Sequence, residues 1–305
     1  MRTAAIDIGT NTVLLLIADV EGHEKITTIT DKIQFPRLGI GTQKQGIIRE
    51  DAIDRTISVL LKYKEIAGKN NVESIVVCGT SAFREAKNQI EVVETIKRRT
   101  GFDVEVIDGK EEALLSFHGA LSGLNIPVDQ SVVIDIGGGS TEIAYLINNE
   151  MHTISLLLGA VRLTEIFFDA VPATKSQISK AVEYIGKELD KHKYENIIGR
   201  KLIGVAGTPT TLACLDQGLR DFGRIAVSSY PMTIARIEYW KDKLASLTLS
   251  EIRALTRATA GREDIISAGT FILAEFMRKS KFSDLIVSER GLRYGLIMRE
   301  WNRRA

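Results

Sequence analysis

The sequence predicts an α/β protein made of two copies of one β-β-β-α-β-α unit, and three observations carry this. Ala5-Ile6-Asp7-Ile8-Gly9 is matched by Val133-Ile134-Asp135-Ile136-Gly137, and Val77-Cys78-Gly79-Thr80 by Val205-Ala206-Gly207-Thr208. Both matches share one offset of 128 residues (135 − 7 and 207 − 79), as a duplication requires. The length of 305 residues is long for one hydrophobic core and comfortable for two domains.

Each element has its own signal. Residues 4–8, 12–19 and 25–33 run or alternate apolar with turn residues between them, which predicts three consecutive antiparallel strands. Over 51–67 the apolar positions Ile53, Ile57, Leu60, Leu61, Tyr63 and Ile66 have helical spacing. A β-branched strand at 74–78 stops at Gly79, followed by a helix at 90–99, a strand at 104–107 and a helix at 111–121. Pro127 breaks the pattern within 124–130, and there the order restarts. Strands at 131–136, 141–147 and 151–158 precede helices at 161–168 and 177–189. A strand at 202–206 ends at Gly207 and a helix is predicted after Pro209. Helices at 233–246 and 263–279, a strand at 285–287 and a helix at 292–301 finish the chain.

Composition narrows the function classes. With 44% hydrophobic and 26% charged residues, the balance is that of an ordinary soluble globular protein. No apolar run reaches the roughly 18–20 residues of a membrane helix, and Arg2 leads straight into a strand rather than a signal peptide. Cys78 and Cys214 stand in unrelated contexts, and His23, His118, His152 and His192 are scattered, so a zinc site is not expected. A cytoplasmic location and no membrane partner are the expectation. The net charge of +1 argues against a nucleic-acid-coating surface. The basic clusters at 97–99 and 290–304 read as solvated faces.

The repeated turns suit phosphate. After Asp135 come Ile136, three glycines, Ser140, Thr141 and Glu142. Glycines at 137, 138 and 139 admit close approach of a ligand, and successive N–H groups form an anion-binding nest, with the Ser140 and Thr141 hydroxyls as further donors. Asp135 and Glu142 are hard oxygen ligands suited to Mg²⁺. A plain glycine hairpin is the bland alternative, but such a turn rarely needs three glycines. The first turn, Asp7-Ile8-Gly9-Thr10-Asn11-Thr12, repeats the design with one glycine and three polar donors. Gly79-Thr80-Ser81 and Gly207-Thr208-Pro209-Thr210 each close a strand and open a helix, where anions are favoured and where hydroxyls and proline are also ordinary start chemistry. Arg84 is one turn into the first of these helices and suits bidentate phosphate binding. Glu111 and Glu112 open another helix. Acidic first-turn residues complement the helix dipole, and the alternative is that one of them orients a water on a terminal phosphorus.

The duplicated unit resembles the ribonuclease H-like fold of the actin/sugar-kinase/Hsp70 superfamily, whose two lobes close a cleft on phosphates. More narrowly, the chain resembles the Ppx/GppA phosphatase family over essentially its whole length. The resemblance is carried by residues 7–12, 79–88, 111–113, the Asp-Ile-Gly-Gly-Gly-Ser-Thr-Glu string of 135–142, Gly207-Thr208 and 288–295. It implies an exopolyphosphatase acting on linear inorganic polyphosphate, or a phosphohydrolase converting pppGpp to ppGpp, with Mg²⁺ or another divalent cation. By position, Glu112 matches the catalytic base, and Asp7, Asp135 and Glu142 fall among the metal-site carboxylates. Gly9, Thr10, Asn11, Thr12, Arg84, Gly137, Gly138, Gly139, Ser140, Thr141, Gly207 and Thr208 match phosphate-contacting loops. The resemblance further implies a first lobe of 1–122 joined by a C-terminal helix in 291–305, a second lobe of 123–290, and a homodimer as a plausible assembly. Two positions depart from the pattern. Leu14 stands where several relatives carry Arg or His, which disfavours a guanosine polyphosphate, and Leu114 stands where relatives often have Arg. A small-molecule kinase and a non-catalytic polyphosphate or nucleotide sensor are the competing classes.

Overall fold

The computed structural model describes residues 1–21, 25–168, 170–222 and 224–304, without the side chains of Arg224 and Ile225. His23 and Ala305 therefore lie outside the described residues. The chain divides into two compact units, Met1–Ser122 with Gly291–Ala305, and Gly123–Arg290.

In the first unit, Arg2–Ile8 (β1), Val13–Glu21 (β2) and Lys25–Gln34 (β3) form an antiparallel meander. Ser74–Gly79 (β4) lies parallel to β1 and Glu105–Val106 (β5) parallel to β4, giving the order β3-β2-β1-β4-β5. Side chains alternate across the strands, so each face builds its own core. Ala4, Ile6, Ile8, Leu15 and Val77 pack against Ile57 and Leu60 of helix Glu50–Lys69 and Val92 and Ile96 of helix Gln89–Thr100. On the opposite face, Ala5, Leu16, Ala18 and Cys78 meet Leu115 of helix Gly109–Leu121 and Leu292, Leu296 and Ile297 of helix Leu292–Arg304.

The second unit repeats the plan. Ser131–Ile136 (β6), Thr141–Ile147 (β7) and Glu150–Leu156 (β8) form the meander, and Lys201–Val205 (β9) runs parallel to β6. Pro231–Thr233 (β10) and Asp284–Val287 (β11) extend the sheet to β10-β11-β9-β6-β7-β8. Thus β8-β7-β6-β9 matches β3-β2-β1-β4, and two mixed sheets with flanking helices realise the duplicated fold that the motif offset predicts.

The differences from expectation are local. Helix Gly207–Asp216 starts two residues before Pro209 rather than after it. Proline is tolerated in a first turn because its missing N–H has no helical partner there. Helix Ile266–Lys279 begins three residues later than expected, β5 keeps two residues of the expected four, and β10 and helix Leu249–Leu255 were not anticipated. The three residues of β10 are too few to show a period, and they gain strand geometry only by pairing with β11.

Two helices of the first unit approach unusually closely. A Cβ on Gly119 would lie 2.0 Å from the Gly291 carbonyl oxygen, and one on Gly295 would lie 2.1 Å from the Leu115 carbonyl oxygen. Both obstacles are backbone, which cannot rotate aside. Gly119→Val should therefore destabilise the protein by about 1–3 kcal/mol, the usual cost of overpacking, read as a lower urea midpoint.

Candidate active site

Both β-turns are closed in the same way. Gly9 N–H donates to the Thr12 carbonyl at 2.9 Å and Gly137 N–H to the Ser140 carbonyl at 3.0 Å, again 128 residues apart (137 − 9 and 140 − 12). The amides of these two glycines therefore hold turn shape. The amides that follow are not used in these closing bonds.

Their direction is set from behind. In a planar trans peptide the C=O and the next N–H point opposite ways. In the second unit, Gly159 precedes helix Ala160–Phe167, whose first amides reach the loop. Ala160 N–H donates to Gly137 O at 3.0 Å, and Val161 N–H and Arg162 N–H donate to Gly138 O at 2.8 and 3.1 Å. The Gly138 and Gly139 amides therefore point away from that helix. A Cβ on Gly159 would lie 2.4 Å from Gly138 O, so only glycine permits this approach. In the first unit an irregular segment does the same work. Gly39 N–H donates to Thr10 O at 2.8 Å and Arg37 N–H to Asn11 O at 3.1 Å, turning the Asn11 and Thr12 amides away from it. Thr10 and Asn11 are buried. Gly39, Arg37 and Gly159 were not picked out from sequence, because what marks them is a long-range contact.

The carboxylates differ between the copies. Asp135 pairs directly with Glu142 across β6 and β7, so both side chains stand on one face of the sheet. Asp135 is 9% and Glu142 1% exposed, and Ser155 Oγ donates to Glu142 Oε1 at 2.9 Å. In the first copy Asp7 pairs with Leu14, which holds the place of Glu142 (142 − 14 is again 128). Among the described residues no three His, Cys, Asp or Glu side chains form a ready-made metal cluster. The Thr141 hydroxyl, expected to face a ligand, donates to Leu158 O at 2.5 Å instead and ties β7 to the chain beyond β8.

The two glutamates of helix Gly109–Leu121 have separate partners. Asp108 caps this helix, its Oδ1 accepting from the amides of Lys110 and Glu111 at 2.9 and 2.8 Å. Glu111 is taken by Arg299 of the C-terminal helix, which also binds Glu105. Glu112 is buried and accepts from Arg84 Nη1 at 2.6 Å. Arg84 also donates to Ile107 O at 3.1 Å, so its guanidinium bridges β5's end and Glu112 instead of standing alone. Gly79 makes room for this: a Cβ there would lie 2.6 Å from the Phe83 ring, one residue before Arg84.

At the start of helix Gly207–Asp216, Ala206 has φ 69° and ψ −161°, a region nearly reserved for glycine. Thr210 Oγ1 donates to Ala206 O at 2.7 Å and helps hold it. A Cβ on Gly207 would overlap Arg262 Nη1 at 1.3 Å, so the guanidinium lies against the Gly207 backbone. Burial pulls the Arg262 pKa down to about 10. Thr208 is buried, with its Oγ1 filling the space that a side chain on Gly269 would need. Arg262 was missed from sequence, because a lone arginine in a loop carries no local signal.

These loops belong to a duplicated α/β fold, one glycine-containing turn in each copy. The Ppx/GppA phosphatase family model matches residues 16–304. The chain belongs to that family, and is thereby a hydrolase. Exopolyphosphatase 2 of Mycobacterium tuberculosis is 31% identical over 312 residues, covering 97% of this chain and 98% of the relative. The crystal structure of the Aquifex aeolicus Ppx/GppA family member is 33% identical with a TM-score of 0.83, covering 100% of this chain and 98% of that one. An exopolyphosphatase structure from Cytophaga hutchinsonii is 27% identical with a TM-score of 0.90, covering 99% and 98%.

Neither thiol is chemically available. Burial first, and then the negative charges of Asp7 and Glu112, push Cys78 well above the usual thiol range. Cys214 is pushed up to about 11, by burial. Both should resist DTNB at pH 8 in the native protein and both react once it is unfolded, as thiolate is the attacking form.

Proposed function

We propose that the protein is an exopolyphosphatase that hydrolyses the terminal phosphoanhydride bond of linear inorganic polyphosphate. The observation that supports this most is that each of the two turns has its amides aimed away from a segment whose donors pin the carbonyls behind them. Such donors match a run of phosphates better than they match a neutral acceptor. The Arg84–Glu112 pair supplies the remaining chemistry.

Glu112 is the general base that takes a proton from the attacking water, and Arg84 holds its carboxylate in one orientation. Phosphoryl transfer asks mostly for positioning and charge neutralisation, so a single base together with amide-lined loops is sufficient. Asn11 and Thr12 in one unit, and Gly138, Gly139 and Ser140 in the other, take the phosphate oxygens, with Gly207-Thr208 as a further contact. Asp135 and Glu142 fit a divalent cation, because two buried carboxylates paired across β6 and β7 put hard oxygen ligands on one face of the sheet. Mg²⁺ is suited to one or two carboxylates plus substrate phosphates, and when bound it would neutralise phosphate charge there. Asp7, at the matching position of the first unit's turn, is a further proposed metal carboxylate. Leu14 beside Asp7 offers no cation for extra nucleotide phosphates, which favours polyphosphate over guanosine polyphosphates.

Purified protein should release orthophosphate from long-chain polyphosphate with Mg²⁺, and lose this with EDTA. Glu112→Gln should lower kcat by about 10²–10⁴-fold, the range for a lost general base, in a protein that still unfolds cooperatively, with a melting temperature lowered by the loss of Arg84's charged partner. Glu111→Gln should cost far less, since its partner is Arg299. Unchanged release by Glu112→Gln would remove that residue from the role. Faster turnover of pppGpp than of polyphosphate in parallel assays would replace the substrate.

A further inference from the structure

The Gly139 carbonyl is held by a side chain rather than by the backbone. Its counterpart in the first unit is Asn11 (139 − 11 is 128), whose carbonyl accepts from the Arg37 backbone amide at 3.1 Å. In the second unit, helix Ala160–Phe167 spends its first amides on Gly137 and Gly138, and none of those bonds reaches Gly139. The Arg162 Nε supplies the missing donor at 3.0 Å from Gly139 O. The Arg162 amide is meanwhile bound to Gly138 O at 3.1 Å, so one residue grips two consecutive loop carbonyls.

We propose that Arg162 is a positioning residue for the phosphate loop, its Nε–H fixing the Gly139–Ser140 peptide so that the Ser140 amide is aimed with those of Gly138 and Gly139. The inference rests on the reading that this loop binds phosphate. The working part is the Nε–H donor rather than the net charge of the guanidinium, for two reasons. Arg162 is only 8% exposed and lies behind the loop carbonyls rather than among the donors. Burial also lowers its pKa while Glu165 and Glu188 act to raise it, so its cation lies near carboxylates of the protein's own.

Side-chain lengths allow this to be separated from simple packing. Glutamine places an N–H donor the same number of bonds from Cα as arginine Nε, without charge. Methionine fills similar space with no donor, and lysine keeps the charge with its donor one bond further out. Full-length variants are compared by the rise in melting temperature on adding inorganic phosphate, which reports affinity for the folded state. Steady-state kinetics on polyphosphate are run beside it.

Arg162→Met should weaken phosphate by about tenfold or more, the effect of a buried carbonyl losing its donor. Its KM should rise similarly while kcat changes less than about threefold. Arg162→Gln should stay within about threefold of wild type in both. Equal behaviour of the Met and Gln variants, whether both intact or both impaired, would overturn the proposal. So would a loss of kcat at unchanged KM. Where Arg162→Met does not fold, Arg162→Lys replaces it: Gln closer to wild type than Lys supports the role, and Lys equal to or better than Gln overturns it. The two readings fail separately. Phosphate binding that follows this pattern in a protein inert on polyphosphate leaves Arg162 in place and removes the exopolyphosphatase reading. Hydrolysis by a protein whose phosphate affinity ignores Arg162→Met does the reverse.

Discussion

A peptide plane cannot point its carbonyl and its following amide the same way, and both turns of this protein are built on that constraint. Whatever holds the carbonyls of Thr10 and Asn11, or of Gly137, Gly138 and Gly139, also decides where the amides that follow them face. The supports are consequently as specific as the turns. Gly39 and Gly159 lack side chains because a Cβ would collide with the loop each one supports. A glycine-rich turn alone is flexible, and here the flexibility is removed by hydrogen bonds from remote segments.

Duplication produced two such turns, and divergence made them unequal. The register that places Glu142 opposite Asp135 places Leu14 opposite Asp7. One copy thereby concentrates two buried carboxylates on one sheet face. The other keeps a single carboxylate on the face covered by the C-terminal helix. The supports diverged too, into an irregular segment at Arg37–Gly39 in one unit and a helix start in the other.

Glu112 depends on the same economy of space. Its helix is capped by Asp108 and crosses the C-terminal helix at Gly119, Gly291 and Gly295, where backbones touch. Neighbouring residues on a helix point about 100° apart, so Arg299 takes Glu111 while Arg84 takes Glu112. The last helix of the chain thus settles which of two adjacent glutamates is left for the interior.

The sequence alone was enough for the duplicated fold, the order of nearly all elements and the two turns, because hydrophobic period and glycine placement are local properties. It was also enough to bring Asp135, Glu142, Arg84 and the Glu111-Glu112 pair forward as candidates, and membership of the Ppx/GppA family agrees with the resemblance carried by those motifs. It did not show that Pro209 lies inside its helix, that the Thr141 hydroxyl turns inward to Leu158, or that Arg84 is bound to Glu112. Nor did it bring forward Arg37, Gly39, Gly159, Arg162 or Arg262. Each of these acts on a partner far away in sequence, and no period or spacing encodes such a partner. Only the folded chain brings the two together.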